Sequence, residues 1–480
     1  MEREVDVVVI GAGPVGENVA DRARVGGLDV VLVEHELVGG ECSYWACVPS
    51  KTLLRSAAAL RAAQRVAGSA EAVTGALDVA GVLRRRDYWV SDWSDAGAAE
   101  WVASVGIDLV RGHGRLDGPR RVVVEQADGT ERRFTARHAV VVSTGSDPAM
   151  PPIPGLAEAA PWTSRDATSV KEPLPRRLAI IGGGFVAVEM ATAFAGFGTE
   201  VTVLARHGLL GDMEEFVGEA AVEGLRGLGA TVRLGVEPTR VERTDAGAVE
   251  ITLDDETVTA DEVLVATGRV PRSHAVGLET VGLEPGGWLD VDETLLVRGA
   301  DGDGDWLYAV GDVNHRVLLT HQGKYQARAA GDVIAARAAG RPVDAGPWGV
   351  HAATADHSAV PGVVFGEPEA VSVGLTEAAA RRAGHEVRIA DVPMQSASGA
   401  GILADGYEGR ARLVVDAQRD VILGATFVGQ DVAELLHAAT IAVVGEVPIS
   451  RLWHAVPAFP TMSEVWLRLL EELGRPEVDA

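Results

Sequence analysis

Cys42 and Cys47 are the only cysteines among 480 residues. They sit in Gly39-Gly40-Glu41-Cys42-Ser43-Tyr44-Trp45-Ala46-Cys47-Val48-Pro49-Ser50-Lys51. Four intervening residues are too many for a zinc-ribbon knuckle, and no further cysteine exists to complete a thiolate metal site, so no metal centre is expected. A structural staple closing so short a loop would add little to a chain of this size. Two readings remain: a redox dithiol, or two incidental core cysteines. The position of the segment, close behind a dinucleotide-binding fingerprint, favours the dithiol.

That fingerprint is Gly11-Ala12-Gly13-Pro14-Val15-Gly16, fed by the apolar run Asp6-Val7-Val8-Val9-Ile10. The run reads as a buried strand. Gly11 permits the tight turn, Gly13 lets backbone approach a pyrophosphate, and Gly16 lets the next helix pack on the strand. The helix N-terminus then faces the anion. Val30-Val31-Leu32-Val33 is the next strand and ends in Glu34, a carboxylate placed for a ribose diol. The unit recurs at Leu178-Ala179-Ile180-Ile181, followed by Gly182-Gly183-Gly184-Phe185-Val186-Ala187, so the chain is expected to bind two dinucleotides. After Val201-Thr202-Val203-Leu204 the ribose acid is missing and Arg206 stands nearby. An arginine can pair with a 2′-phosphate that an acid would repel, which favours NADPH over NADH. Arg206 as an ordinary solvent-facing residue is the alternative.

Composition narrows the partners. The formal net charge is -26, which argues against nucleic acid or an anionic membrane surface. Hydrophobic content of 47% is ordinary for a globular chain, and its length fits about three domains. The N-terminal residues lack the basic region and long apolar run of a signal peptide, so a cytoplasmic location and a small-molecule acceptor are expected.

With two Rossmann fingerprints, a Cys-x4-Cys segment, and Asp312 in Leu307-Tyr308-Ala309-Val310-Gly311-Asp312, the chain resembles the class I pyridine nucleotide-disulfide oxidoreductases. Val142-Ser143-Thr144-Gly145-Ser146 and Ala266-Thr267-Gly268-Arg269 match the family's two connecting loops. Pro361-Gly362-Val363-Val364-Phe365, Val373-Gly374-Leu375-Thr376-Glu377 and Ile422-Leu423-Gly424-Ala425 resemble its dimerisation domain. The resemblance implies FAD held by Gly11, Gly13, Gly16, Glu34, Gly40, Thr144, Gly145 and Asp312. It implies a nicotinamide cofactor held by Gly182, Gly184, Phe185, Ala187, Arg206 and Gly268, with Phe185 as an aromatic gate. Lys51 and Glu189 match a family ion pair near the flavin, Cys47 the flavin-facing sulfur, and Cys42 the sulfur that exchanges with the acceptor. Pro49 in a helix opening places Cys47 near a helix N-terminus, where a thiolate is favoured.

One motif departs from the pattern. The disulfide reductases carry His-Pro-Thr-x-x-Glu near the C-terminus, whereas this chain reads Phe459-Pro460-Thr461-Met462-Ser463-Glu464. Phe459 cannot move a proton, and loss of a general acid-base costs about 10²- to 10⁴-fold. Glu464 is retained as a candidate catalytic residue, and His454 could substitute for the missing histidine or be a surface residue. Mercuric reductase-like enzymes and soluble transhydrogenases also lack that histidine. Against the former there is no extra cysteine pair near the C-terminus, and the latter lack the second cysteine kept here. Tyr44 and Trp45 either flatten the pocket for a quinone-like acceptor or pack beneath the cysteine helix.

The expected fold is α/β, with two Rossmann-like nucleotide-binding domains and a C-terminal α/β dimerisation domain in a homodimer. The FAD domain is expected at 1–152 and 272–347, the NAD(P) domain at 153–271 and the interface domain at 348–480. The expected activity is hydride transfer from NADPH to FAD and on to the Cys42–Cys47 couple, reducing a disulfide, metal or quinone acceptor. A diaphorase or transhydrogenase-like enzyme with peripheral cysteines, and a non-catalytic redox sensor, are the competing readings.

Overall fold

Unbroken valine runs suit strands that are covered on both faces, and they build the first sheet of this protein. A computed structural model describes residues 2–475. Strand Glu2–Ile10 lies parallel between Val30–Glu34 and Glu131–Val142, and Leu307–Ala309 pairs with the outer side of Glu131–Val142. Val7, Val8, Val9, Val30, Val31, Val140, Val141 and Val142 are wholly buried. The register aligns Ile10 with Val33 and Val142, and Val142 with Ala309. Four strands therefore end at one level, and the residues following them, Gly11, Glu34, Thr144 and Asp312, emerge along a single carboxyl edge.

A second parallel sheet repeats the arrangement, in the order Thr231–Leu234, Glu200–Ala205, Arg177–Ile181, Glu262–Val265. Ile181 aligns with Leu204 and Val265, so Gly182, Arg206 and Gly268 lie beyond one edge. A three-stranded antiparallel sheet, Arg240–Arg243, Val249–Thr252 and Thr257–Ala260, accompanies it. Farther on, five antiparallel strands run in the order Pro361–Val364, Glu369–Gly374, Val421–Gly429, Arg410–Asp416, Val387–Pro393. The two proline-marked crossings pair with each other as a short ribbon, with Ser146–Pro148 against Arg269–Pro271. Among the described residues no helix is long and apolar enough to cross a membrane.

Compactness divides the chain into two units: residues up to 49 with 87–149 and 269–356, and residues 50–86 with 150–268 and 357 onward. This partition differs from the expected one in two respects. The nucleotide-binding insert and the C-terminal sheet fall in one unit, and residues 50–86 join them rather than the first sheet. The reason for the second difference is packing. Leu53, Leu54, Val82 and Leu83 are buried in a core with Leu178, Ile180, Val188 and Phe194, and the buried Arg86 donates to the carbonyls of Thr168 and Val170. Gly196 allows this approach, because a Cβ there would lie 2.9 Å from the Cβ of Ala57.

Leu53 is fully buried two residues after Lys51. Its truncation should cost about 2–5 kcal/mol. Leu53→Ala is expected to lower the unfolding free energy by that amount, measured by equilibrium denaturation of purified protein; a loss below about 1 kcal/mol would contradict this anchoring.

Candidate active site

The first glycine loop packs backbone on backbone on one side and is open on the other. A Cβ on Gly11 would lie 2.4 Å from the Ser143 carbonyl, and one on Gly16 would lie 1.8 Å from the Gly11 carbonyl, whereas Gly13 faces open space. Gly11 also has a positive φ of 101°. The helix that follows, Pro14–Val25, starts with proline in its first turn and points unpaired N–H groups at that space. Gly40, with φ of 53°, brings the next short helix, Gly40–Tyr44, against the loop: a Cβ on Gly40 would lie 2.8 Å from Gly13 Cα. Thr144 Oγ1 is buried and has no hydrogen-bond partner among the described residues. Gly145 also faces open space. An open glycine cradle beside an orphaned hydroxyl fits a bound dinucleotide.

Glu34 is buried at the end of its strand. Its Oε2 accepts from the Ala12 N–H at 2.8 Å and its Oε1 from the Glu36 N–H at 2.8 Å. Burial alone would raise its pKa, but hydrogen bonds from His35, Glu36 and Ala12 hold the carboxyl below its ordinary value. It is a fixed anion with lone pairs to spare for a diol. Asp312 accepts from Ser146 Oγ at 2.5 Å, and Arg269 lies 3.7 Å from the same carboxylate. Arg269 also donates to Ser146 Oγ at 2.5 Å. Ser146 and Arg269 lie in the two matching loops, but their link to Asp312 becomes visible only once the ribbon is folded.

The two cysteines are brought together. Cys42 lies in the helix Gly40–Tyr44, and Cys47 opens the helix Cys47–Gln64. Both are free thiols of intermediate burial. The hydrogen bond to Cys47, then burial, pushes the Cys42 thiol well up from its ordinary value, while Thr320 and Lys324 act in the opposite direction. Thr320 Oγ1 lies 3.5 Å from Cys47 Sγ. Thr320 begins the helix Thr320–Ala338, and no motif in the sequence singles it out. Tyr44 is buried, with its ring edge-on to Trp45 at 5.7 Å and its carbonyl accepting from Trp93 Nε1 at 3.2 Å. Tyr44 thus packs beneath the cysteine segment, which leaves only the half-buried Trp45 for the quinone idea.

In the second unit, Lys51 Nζ donates to Glu189 Oε2 at 2.7 Å. Glu189 is buried and also accepts from the Phe365 N–H at 3.1 Å, with the ammonium 5.3 Å from the Phe365 ring centroid. Gly182, with φ of 137°, could not carry a Cβ, which would lie 2.1 Å from the Ala266 carbonyl, and Gly184 and Gly268 face open space. Phe185 opens the helix Phe185–Gly196, and Ala187 is fully buried in it. A Cβ at Gly362 would lie 3.7 Å from the Phe185 ring. Arg206 is 65% exposed and 3.6 Å from Glu237, a carboxylate that the sequence reading did not weigh.

Near the C-terminus, Phe459 is 74% exposed and His454 is exposed. Glu464 is buried and spends both oxygens within its own chain: Oε2 accepts from the Ser398 N–H at 2.9 Å and Oε1 from Arg468 at 2.6 Å. The first bond ties Glu464 to the start of the short helix Ser398–Leu403 and the second to the helix Val465–Leu473.

Comparison with known proteins agrees with this geometry. Residues 5–331 match the family described as pyridine nucleotide-disulphide oxidoreductase, and residues 360–469 match its dimerisation domain. A mercuric reductase from Staphylococcus aureus is 31% identical, covering 96% of this chain and 81% of the relative. A dihydrolipoyl dehydrogenase from Thermus scotoductus is 32% identical, covering 98% of each. The structure of the HOCl-induced flavoprotein disulfide reductase RclA from Escherichia coli, as its Cu(II) complex, superposes with a TM-score of 0.83 at 24% identity, covering 98% of this chain and 99% of that one, and shares the fold. With both nucleotide cradles, the cysteine pair and these matches along nearly its whole length, the chain belongs to the pyridine nucleotide-disulfide oxidoreductase family, whose members use FAD and NAD(P)H.

Proposed function

We propose that this chain takes an electron pair from NADPH and delivers it through a Cys42–Cys47 couple to a small acceptor that needs no protonated leaving group. The observation that carries this reading is the pair itself: two thiols in mutual contact at a helix N-terminus, in the same compact unit as the FAD cradle. FAD, which Gly11, Gly13, Gly16, Glu34, Thr144 and Asp312 would hold, would supply the two-electron redox chemistry between the reduced nicotinamide and the sulfur couple. The residues of the chain prepare the rest. Cys47 sits where helix N–H groups favour a thiolate, and Thr320 offers it a hydroxyl hydrogen bond. Lys51 and Glu189 form a fixed ion pair in the position that the family resemblance assigns to stabilising charge on the reduced cofactor. Cys42, on the separate short helix, is the sulfur left for exchange. The division into FAD, NAD(P) and interface domains, a homodimer and a cytoplasmic location complete the proposal.

The choice of acceptor follows from Phe459. Thiol–disulfide exchange without a general acid favours leaving groups of low pKa. Metal ions and aromatic disulfides suit the couple in this chain better than lipoamide or glutathione disulfide, although its relatives include a dihydrolipoyl dehydrogenase as well as a mercuric reductase, and a quinone would take its electrons directly from the flavin. Glu464 takes no proton-transfer role in this scheme, since its oxygens are engaged by Ser398 and Arg468. The diaphorase reading is the second candidate, favoured by the same Phe459.

NADPH-driven reduction of an aromatic disulfide is expected to fall at least about 10³-fold in Cys42→Ser, while quinone turnover stays within about threefold. Disulfide turnover surviving in Cys42→Ser would transfer the proposal to the diaphorase reading. For the nicotinamide site, Arg206→Ala should raise the KM for NADPH about tenfold or more and leave that for NADH unchanged, since a charge-assisted hydrogen bond contributes about 1.5–3 kcal/mol. Equal changes for both cofactors in steady-state kinetics would remove the NADPH preference.

A further inference from the structure

Three consecutive residues that are not glycine, Ser91, Asp92 and Trp93, have positive φ of 50°, 51° and 56°. Side chains crowd the backbone in this left-handed region, and L-residues other than glycine, asparagine and aspartate seldom enter it, least of all in succession. Such a conformation persists only where its surroundings enforce it. The enforcing contacts lie on both sides of the turn. Val90 is buried at its start, and the N–H groups of Trp93 and Ser94 donate to the carbonyls of Val90 and Ser91 at 2.9 Å each. Asp95 follows the turn, and its Oδ2 accepts from the Val38 N–H at 2.8 Å and from Arg111 at 2.5 Å. Arg111 also donates to the Glu36 carbonyl at 3.0 Å. The Trp93 indole N–H donates to the Tyr44 carbonyl at 3.2 Å.

These contacts share one target. Val38 lies two residues before the helix Gly40–Tyr44 and Tyr44 ends it, so Asp95 and Trp93 hold both ends of the segment that carries Cys42. The Gly39 N–H, donating to the Ala12 carbonyl at 2.8 Å, ties the same segment to the first glycine loop. A helix of five residues has little stability of its own and takes its position from such tertiary contacts. We propose that the left-handed turn is a brace for the exchange thiol, with Trp93 and Asp95 as positioning residues that keep Cys42 within bonding reach of Cys47. The inference rests on the dithiol reading above. Closing the couple joins Cys42 Sγ to Cys47 Sγ and releases two protons and two electrons, and reduction reverses this. A braced Cys42 has little freedom left to lose on closure, which favours the disulfide; loosening the brace gives the open dithiol more freedom and makes the disulfide easier to reduce.

The test is the reduction potential of the couple in flavin-loaded protein, equilibrated without oxygen in thiol–disulfide buffers ranging from dithiothreitol to glutathione. In each exchange the protein S–S bond opens as one S–S bond forms in the buffer, with two electrons and two hydrogens passing from the buffer thiols to Cys42 and Cys47. Maleimide labelling after an acid quench counts the thiols, and because the chain has no other cysteine the count reports this couple alone. Trp93→Phe keeps a ring and removes the indole N–H; it should favour the open form about five- to tenfold, a rise of about 20–30 mV. Trp101→Phe makes the same change at an exposed position in the helix Ala96–Ser104 and should leave the potential at the wild-type value. An unchanged potential in Trp93→Phe, or an equal shift in Trp101→Phe, would overturn the proposal. If Trp93→Phe does not retain flavin, Asp95→Ala, which removes the acceptor for the Val38 N–H, decides: the same rise supports the brace and an unchanged potential overturns it. A wild-type couple that stays open in every buffer would instead refute the dithiol reading, and the brace with it.

Discussion

The alignment of four parallel strand ends is the constraint on which the first unit depends. Ile10, Val33, Val142 and Ala309 share one level, and every residue assigned to the flavin follows one of those ends or the helices that spring from them. A shift of one residue in any of these strands would exchange its two buried faces and carry a site residue about 3.3 Å along the strand direction. The burial of the valine run therefore does two tasks, forming the core and setting the height of Gly11, Glu34, Thr144 and Asp312. The second parallel sheet applies the same rule to Gly182, Arg206 and Gly268.

The cysteine couple adds electrostatics to this frame. The chain as a whole is strongly acidic, with 43 basic and 69 acidic side chains. Close to the sulfurs opposing influences meet: the contact between the two thiols and their burial push Cys42 up, while the Thr320 hydroxyl and the Lys324 charge act the other way and a helix N-terminus lies at Cys47. Phe459, exposed in this chain, brings no titratable group.

Much of this was legible in the residues alone, because the informative motifs are local. A strand, a glycine turn and a helix occupy one stretch of chain, so Gly11–Gly16 and Gly182–Ala187 announce both nucleotide cradles. Lys51 and Glu189 were paired through family resemblance, and the 2.7 Å bond joins them. What escaped is long-range. Thr320 and Lys324 lie more than 270 residues from Cys47 in sequence and carry no motif, although the rarity of lysine was a signal. The transfer of residues 50–86 to the second unit depends on which core Leu53 and Leu83 enter, and an amphipathic pattern does not say which. Glu464 kept its motif position while its oxygens were taken by Ser398 and Arg468, a commitment that spacing does not reveal.

The central claim is that the cysteine couple takes part in electron transfer. An anaerobic titration of the purified flavoprotein with NADPH, followed by its visible spectrum, tests it most directly. The account predicts uptake of about four electrons per FAD, two of them in the dithiol, with a long-wavelength thiolate absorption partway through. Uptake of about two by protein whose cysteines start as a disulfide, with simple bleaching and no such band, would contradict it.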